Sequence, residues 1–369
     1  MRFRETALCL LAALCAAGCV PSHSADEAAV GSGAAIEGGI LPDQEDYYAV
    51  DVVDADHAWI VGSYGAVVAL GAQGGTAELR SAPIHEPLFC VSFRGPSTGV
   101  IGGRGGRIFR TTDAGQSWSS VAAAGVTENV LDFARSRDPH RLWAVGPRGT
   151  MLRSLDDGAT WQDRSLGKDI TLNGVTFVDD QEGWVVGEFG TILHTVDGGE
   201  TWQRSEAITG LPPYVEDVSA EVALRVGIPP LTQDDLYLFD VAFVTPETGY
   251  VVGAGGFVLS TVDRGLHWTA TRAGTRNTLF RVVPTPTDGL IATGVLGTVV
   301  HRRAEAWAAD EDISHRIFTW IRGIGFSADG ALGVAVGGKA TVLLSRDQGA
   351  SWERLPRERI AATLPGRSS

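Results

Sequence analysis

A stretch of twenty residues, GWVVGEFGTILHTVDGGETW from Gly183 to Trp202, recurs in variant form along nearly the whole chain and constrains its fold more than any other feature. Trp184 to Val186 read as a short β-run and Gly187-Glu188-Phe189-Gly190 as a tight turn. Thr191 to Thr195 read as a second run leading into Asp197, Gly199, Thr201 and Trp202. The closing segment follows the pattern Ser/Thr-x-Asp-x-Gly-x-Ser/Thr-Trp, an Asp-box. In such a turn the carboxylate accepts backbone N–H groups, the glycine takes a positive φ and the indole anchors the turn against neighbouring sheet.

The first glycine of the VGxxG turn falls at Gly62, Gly103, Gly146, Gly187, Gly253, Gly294 and Gly337, in steps of 41, 43, 41, 66, 41 and 43. A constant period near 40 to 45 residues is that of propeller blades. The expected fold is all-β, one seven-bladed β-propeller of four-stranded blades over residues 47–357, because a lone blade cannot cover both its faces. The long step places an insertion at about 203–236, and residues 358–369 read as a tail. Five copies keep the whole box, with Asp113 and Trp118, Asp156 and Trp161, Asp197 and Trp202, Asp263 and Trp268, and Asp347 and Trp352 in structural roles. The first and sixth copies are eroded, with Ala72 and Ala77 in the first and a shortened HRRAEAW in the sixth.

Residues 1–18 read as a secretory signal: Arg2 and Arg4 precede the apolar run Ala7 to Ala17, which is too short to span a bilayer. LCAAGC resembles the bacterial lipoprotein cleavage box, which makes Cys19 the expected lipidation site, with an ordinary cleaved signal as the alternative. Residues 19–46, rich in Ala, Gly and Ser, read as a flexible tether with a span of about 25 to 30 Å. The expected location is extracytoplasmic and membrane-anchored. Cys90, within LFCVSF, reads as a buried inert thiol. A net charge of −14 opposes non-specific contact with nucleic acid or anionic lipid.

Successive strands reverse direction, so the Asp-boxes should share one rim and the VGxxG turns the other, where the channel opens. Tyr48, Phe89, Asn129, Asn173, Phe239, Phe280 and Arg322 begin the inner strands on that face, beside Asp240 and Arg281. Tyr64, Arg104, Arg148 and Phe189 stand at its turns. Aromatics mixed with arginines suit a protein-binding surface, so Tyr64, Arg104, Arg148, Phe189, Asp240, Arg281 and Arg322 are candidate partner contacts. The inner-strand aromatics also admit a second reading, as packing between blades. Within the insertion, Val215, Val218, Val222 and Val226 fall at helical spacing, a candidate helix from Val215 to Val226 between two Pro-Pro pairs.

No cofactor or metal is expected, since the eight histidines show no paired ligand spacing, and neither a nucleophile elbow nor a Walker-type loop is present. Asp-boxes also occur in sialidases, which keeps a glycan-binding or glycan-cleaving propeller as an alternative. The segment LNGVTFVDDQEGWVVGEFGTILHTVDGGETW (172–202) closely resembles the photosystem II stability/assembly factor family. The resemblance implies a monomeric, non-enzymatic propeller that binds a membrane protein or subunit during complex assembly, with lipid anchoring. An accessory subunit of an envelope transporter is the other binding-protein reading.

Overall fold

The computed structural model describes residues 45–361 apart from 124, 206, 213–224, 226–230, 288, 304–305, 311–312 and 314–316. The expected signal, Cys19 and tether up to residue 44 lie outside the described residues, as does the expected Val215 to Val226 helix except for Arg225.

Seven antiparallel sheets form the blades of a propeller, each paired outward in chain order. Their inner strands are Tyr47–Asp54, Leu88–Arg94, Asp132–Arg135, Leu172–Phe177, Leu238–Phe243, Leu279–Pro284 and Ile321–Phe326. Six blades have the expected four strands, but blade five has five. Ala207–Thr209, at the start of the insertion, crosses from blade four and pairs in parallel with His267–Arg272, the outer strand of blade five. A free sheet edge offers unpaired N–H and C=O groups, and this short strand satisfies part of one.

The blades are held face to face by a repeated aromatic contact. Trp59, Trp143 and Trp184 on second strands stack on Phe93, Phe177 and Phe243 of the next blade's inner strand, with centroids 3.8, 5.9 and 3.7 Å apart. The same phenylalanines are met nearly edge-on by the Asp-box indoles Trp118, Trp202 and Trp268, at 6.1, 6.0 and 6.1 Å. Face and edge of one ring are thus used by two indoles, the arrangement its quadrupole favours. A Cβ on Gly99, Gly183, Gly249 or Gly333 would come within 2.5 to 2.6 Å of the phenylalanine of its own blade, so glycine there makes room for the ring.

The Asp-boxes bond as their composition demands. Asp113 accepts from the Ser117 N–H and hydroxyl at 2.9 and 2.6 Å, and the Thr111 hydroxyl donates to it while accepting from the Gly115 N–H. Asp156 and Asp197 repeat this with Thr160 and Thr201, Asp347 with Ser351, and Asp263 uses the His267 ring in place of a hydroxyl. The box glycines also press on the preceding blade. A Cβ on Gly199 would lie 2.2 Å from Trp143, and one on Gly158 would lie 2.4 Å from Val100. In the eroded first copy, Gly74 still fits against Leu344 of blade seven. In the sixth, Trp307 packs on Tyr250 of blade five at 6.3 Å.

Ring closure needs no exchanged strand. Tyr47, Ile60 and Val68 of blade one share a core with Val334, Val342 and Leu344 of blade seven. The chain entry takes the place of a blade-to-blade connection: Glu45 C=O accepts the Ala340 N–H at 2.6 Å, as Ile170 accepts from Gly149 and Leu236 from Gly190. The short helix Arg357–Ala361 carries Ile360, 1% exposed, into this core, so the expected tail is helical as far as Ala361, and its remainder lies outside the described residues.

Candidate functional site

The turn face is built by seven hairpin tips in which two central residues take positive φ, the geometry whose twist matches a two-residue β-hairpin. Asn, Asp or Gly fill the first of these positions most cheaply. Here Tyr64, Arg148, Phe189, Leu296 and Lys339 occupy it at φ of 54 to 56°, whereas blades two and five use Gly105 and Gly255. Arg104 stands one residue before the tip of its blade. The second position is glycine in six blades and Ala340, at φ 49°, in blade seven. A Cβ on Gly65, Gly106, Gly190 or Gly256 would come within 2.0 to 2.3 Å of a carbonyl in the connection to the next blade. The exposed tip side chains therefore sit in strained backbone; Tyr64 is 54% and Phe189 42% exposed, and the Phe189 ring lies 6.0 Å from that of Tyr237.

The sequence candidates separate into three places. Tyr64, Arg104, Arg148 and Phe189 are exposed or partly exposed on the turn face, and Arg148 pairs with Glu128 at 3.5 Å. Arg322 is half-buried at the channel mouth with its guanidinium over the Tyr48 ring at 5.8 Å. Asp240 and Arg281 are inside the channel, which corrects the expectation that they present themselves beside the inner-strand aromatics.

In the channel, Asp240 accepts the Val282 N–H at 2.8 Å, and Asp132 the Val175 N–H at 3.1 Å. Asp51 accepts the Phe93 N–H at 2.6 Å. Each carboxylate thus staples its inner strand to that of the next blade. Arg281 of blade six then reaches Asp132 of blade three at 3.0 Å and Asp240 of blade five at 3.4 Å. Burial pushes the Asp240 carboxyl up to about 6 against the pull of Arg281. Burial opposes the Arg281 charge, but Asp132 and Asp240 outweigh it and raise its pKa. Asp132 and Asp240 are buried, Arg281 is half-buried, and its guanidinium ties blade six to blades three and five. Cys90 is buried here, 3.5 Å from the Val130 carbonyl, and burial raises its thiol pKa, as an inert thiol requires.

The inner-strand residues at the mouth sit at β-bulges in six blades: Tyr48, Phe89, Asn173, Phe239, Phe280 and Arg322. A bulge re-aims a side chain and leaves its residue outside the ladder. The aromatics among them meet across blades, Tyr48 with Phe89 at 5.6 Å and Phe239 with Phe280 at 5.4 Å. Their packing reading is therefore the structural one. On the Asp-box rim, Arg94, Arg110 and Arg135 surround buried Asp157 at 3.2, 3.6 and 2.7 Å.

A pocket of about 350 Å³ opens beside the tip of blade four. Leu166, Ile170, Leu193, Trp202 and Phe189 give it apolar walls, and Lys168, Arg204 and Asp234 bring charge. The end of the insertion shapes it. Gln233 donates to the Gly190 carbonyl at 2.8 Å, Gly190 N–H donates to Leu236, and Arg204 bonds the Phe189 carbonyl at 2.9 Å and pairs with Asp234 at 3.6 Å. Lys168 is exposed. Apolar walls with a few polar groups suit a side chain or short peptide of a partner. Among the described residues no group of His, Cys, Asp and Glu could hold a metal ion.

A family model described as photosynthesis system II assembly factor YCF48 matches residues 121–227, from the end of blade two through blade four and into the insertion. The chain resembles the photosystem II assembly factor family. A solved structure described as YCF48 bound to D1 peptide superposes with a TM-score of 0.62 at 19% identity, covering 82% of this chain and 92% of that one. The WD40 repeats of RRP9 (TM-score 0.61, 13% identity, 86% and 92% covered) and the WD40 propeller of Doa1 (0.59, 11%, 83% and 94%) share the same fold. At these identities the superpositions carry the fold alone. No curated protein matches the chain.

Proposed function

We propose that this chain is a non-enzymatic binding propeller that holds a segment of a membrane protein during assembly of its complex, anchored outside the cytoplasm through a lipid on Cys19. The observation that carries the reading is positional. The family match covers 121–227, and those residues supply the tip of blade four and most of the wall of the pocket beneath Phe189. The relative seen with a D1 peptide supports a peptide of a membrane protein as the class of ligand.

The pocket and the tips give the contact its chemistry. Phe189 and Trp202 take an apolar side chain, while Lys168 and Arg204 favour an acidic group or a chain carboxylate beside it. Tyr64, Arg104 and Arg148 extend the surface over blades one to three. Capture from detergent-solubilised membranes tests this. Tyr64→Ala with Phe189→Ala should weaken capture of the membrane protein by well over tenfold, since aromatic anchors each contribute about 2 kcal/mol or more. Gln116→Ala and Glu200→Ala, on the opposite rim, should leave capture unchanged. Loss of capture in the controls alone overturns the proposal.

A further inference from the structure

The pocket uses only one arc of the turn face, and the arc formed by blades six, seven and one carries a different surface. Leu296, 62% exposed, is the tip of blade six. Phe318, 83% exposed, is its neighbour on the connection whose Thr319 carbonyl accepts the Gly297 N–H. Behind them Trp320 lies flat on Tyr48, with centroids 5.6 Å apart and planes within 6°. Arg322 sits over the Tyr48 ring, and Tyr64 and Lys339 are the tips of blades one and seven. Burial, then Asp46 and more weakly Tyr64, raise the Tyr48 phenol to about 12 against Arg322, which places Tyr64 within electrostatic reach of the stack. The arc thus runs from Leu296 through Phe318 and half-buried Trp320, backed by the buried ring of Tyr48, to Tyr64, which borders the partner surface. It offers Arg322 and Lys339 as cations, with Asp46 occupied by the Lys339 N–H at 2.9 Å.

We propose that this arc rests on a lipid bilayer, with Leu296 and Phe318 in the headgroup region and the turn face toward the membrane. Exposed aliphatic and phenyl groups, amphipathic Trp and Tyr, and Lys or Arg beside them are what the bilayer interface accepts. The chain's entry favours the bilayer over a second copy as occupant. Glu45 and Asp46 bond the Ala340 and Ser63 N–H groups at 2.6 and 2.9 Å, so the described chain enters the ring within this arc. On the anchored reading the chain between Cys19 and Glu45 leads to this rim and not to the opposite one. A net charge of −14 opposes adsorption by charge, so the contact is apolar and needs no anionic lipid.

The inference rests on the anchored reading above, and the test separates the two. The full chain is prepared in its membrane form and reconstituted into phosphatidylcholine vesicles. Single cysteines at Phe318→Cys, Leu296→Cys and, on the Asp-box rim, Val262→Cys carry an environment-sensitive fluorophore; Cys90 is buried and stays unlabelled. The labels at 318 and 296 should shift to the blue and lose emission to doxyl-labelled lipid, and the label at 262 should do neither. A chain that floats with the vesicles while 318 and 296 stay in water overturns this inference and leaves the anchor standing. A chain that does not float overturns both. As a second readout, Phe318→Ser in a Cys19→Ser background should weaken residual vesicle binding by about tenfold, since burying one large apolar side chain contributes about that much; unchanged binding counts against the arc.

Discussion

Single residues divide by whether the fold needs them. Phe189 stands in strained backbone where glycine is cheapest, so Phe189→Gly should leave the unfolding temperature near that of the wild type while partner capture falls. A drop of many degrees would mean that the ring is a core residue. Gly199 is the converse: its φ is 81° and a Cβ would strike Trp143, so Gly199→Ala should destabilise by about 2 kcal/mol or more in denaturant titration. Trp268 is fully enclosed and its indole N–H donates to Gly265, so Trp268→Ala should cost about 3–5 kcal/mol. Trp202 is only half-buried, and Trp202→Ala should cost about half as much. The distinction between these two indoles was not legible in the repeat, where both follow the same box; it comes from how far each outer hairpin is covered.

At the scale of elements, the hairpins with their Asp-boxes set one pH limit and the channel strands another. Donors from Ser117 and Thr201 hold Asp113 and Asp197 down at about 2, so their contribution is present above the ordinary carboxylate range and is lost as pH falls through about 2. Asp240 runs the other way. Burial raises it to about 6, so its contribution is full below the ordinary carboxylate range and is lost as pH rises through about 6. The unfolding temperature should therefore peak near the ordinary carboxylate range, at about pH 4, and fall as pH rises toward about 6, a decline that Asp240→Asn should flatten. A profile unchanged by that substitution would remove Asp240 from the account. The period of the repeat was enough to read blades, rims and the order of strands. It could not show that Asp240 and Arg281 point into the channel, because one extra residue at a bulge alters which way an inner strand's side chains face. Nor could it show Ala207–Thr209 joining blade five, since a three-residue strand within an insertion carries no periodicity.

The whole molecule depends on how the ring closes and on which face it binds with. Closure relies on Glu45 imitating a connection and on Ile360 sealing the first and last blades, so Ile360→Ala should cost about 2–5 kcal/mol although it lies just past the last repeat. Calorimetry that shows no loss would place the seal elsewhere. On the proposed function the tips of the turn face, and the pocket under Phe189 above all, take a segment of a membrane protein. Photo-crosslinking from single positions in intact membranes tests it most directly. A crosslinker at Phe189 should yield an adduct with a membrane protein, and one at Glu200 on the Asp-box rim should yield none; adducts from Glu200 with silence at Phe189 would contradict the account.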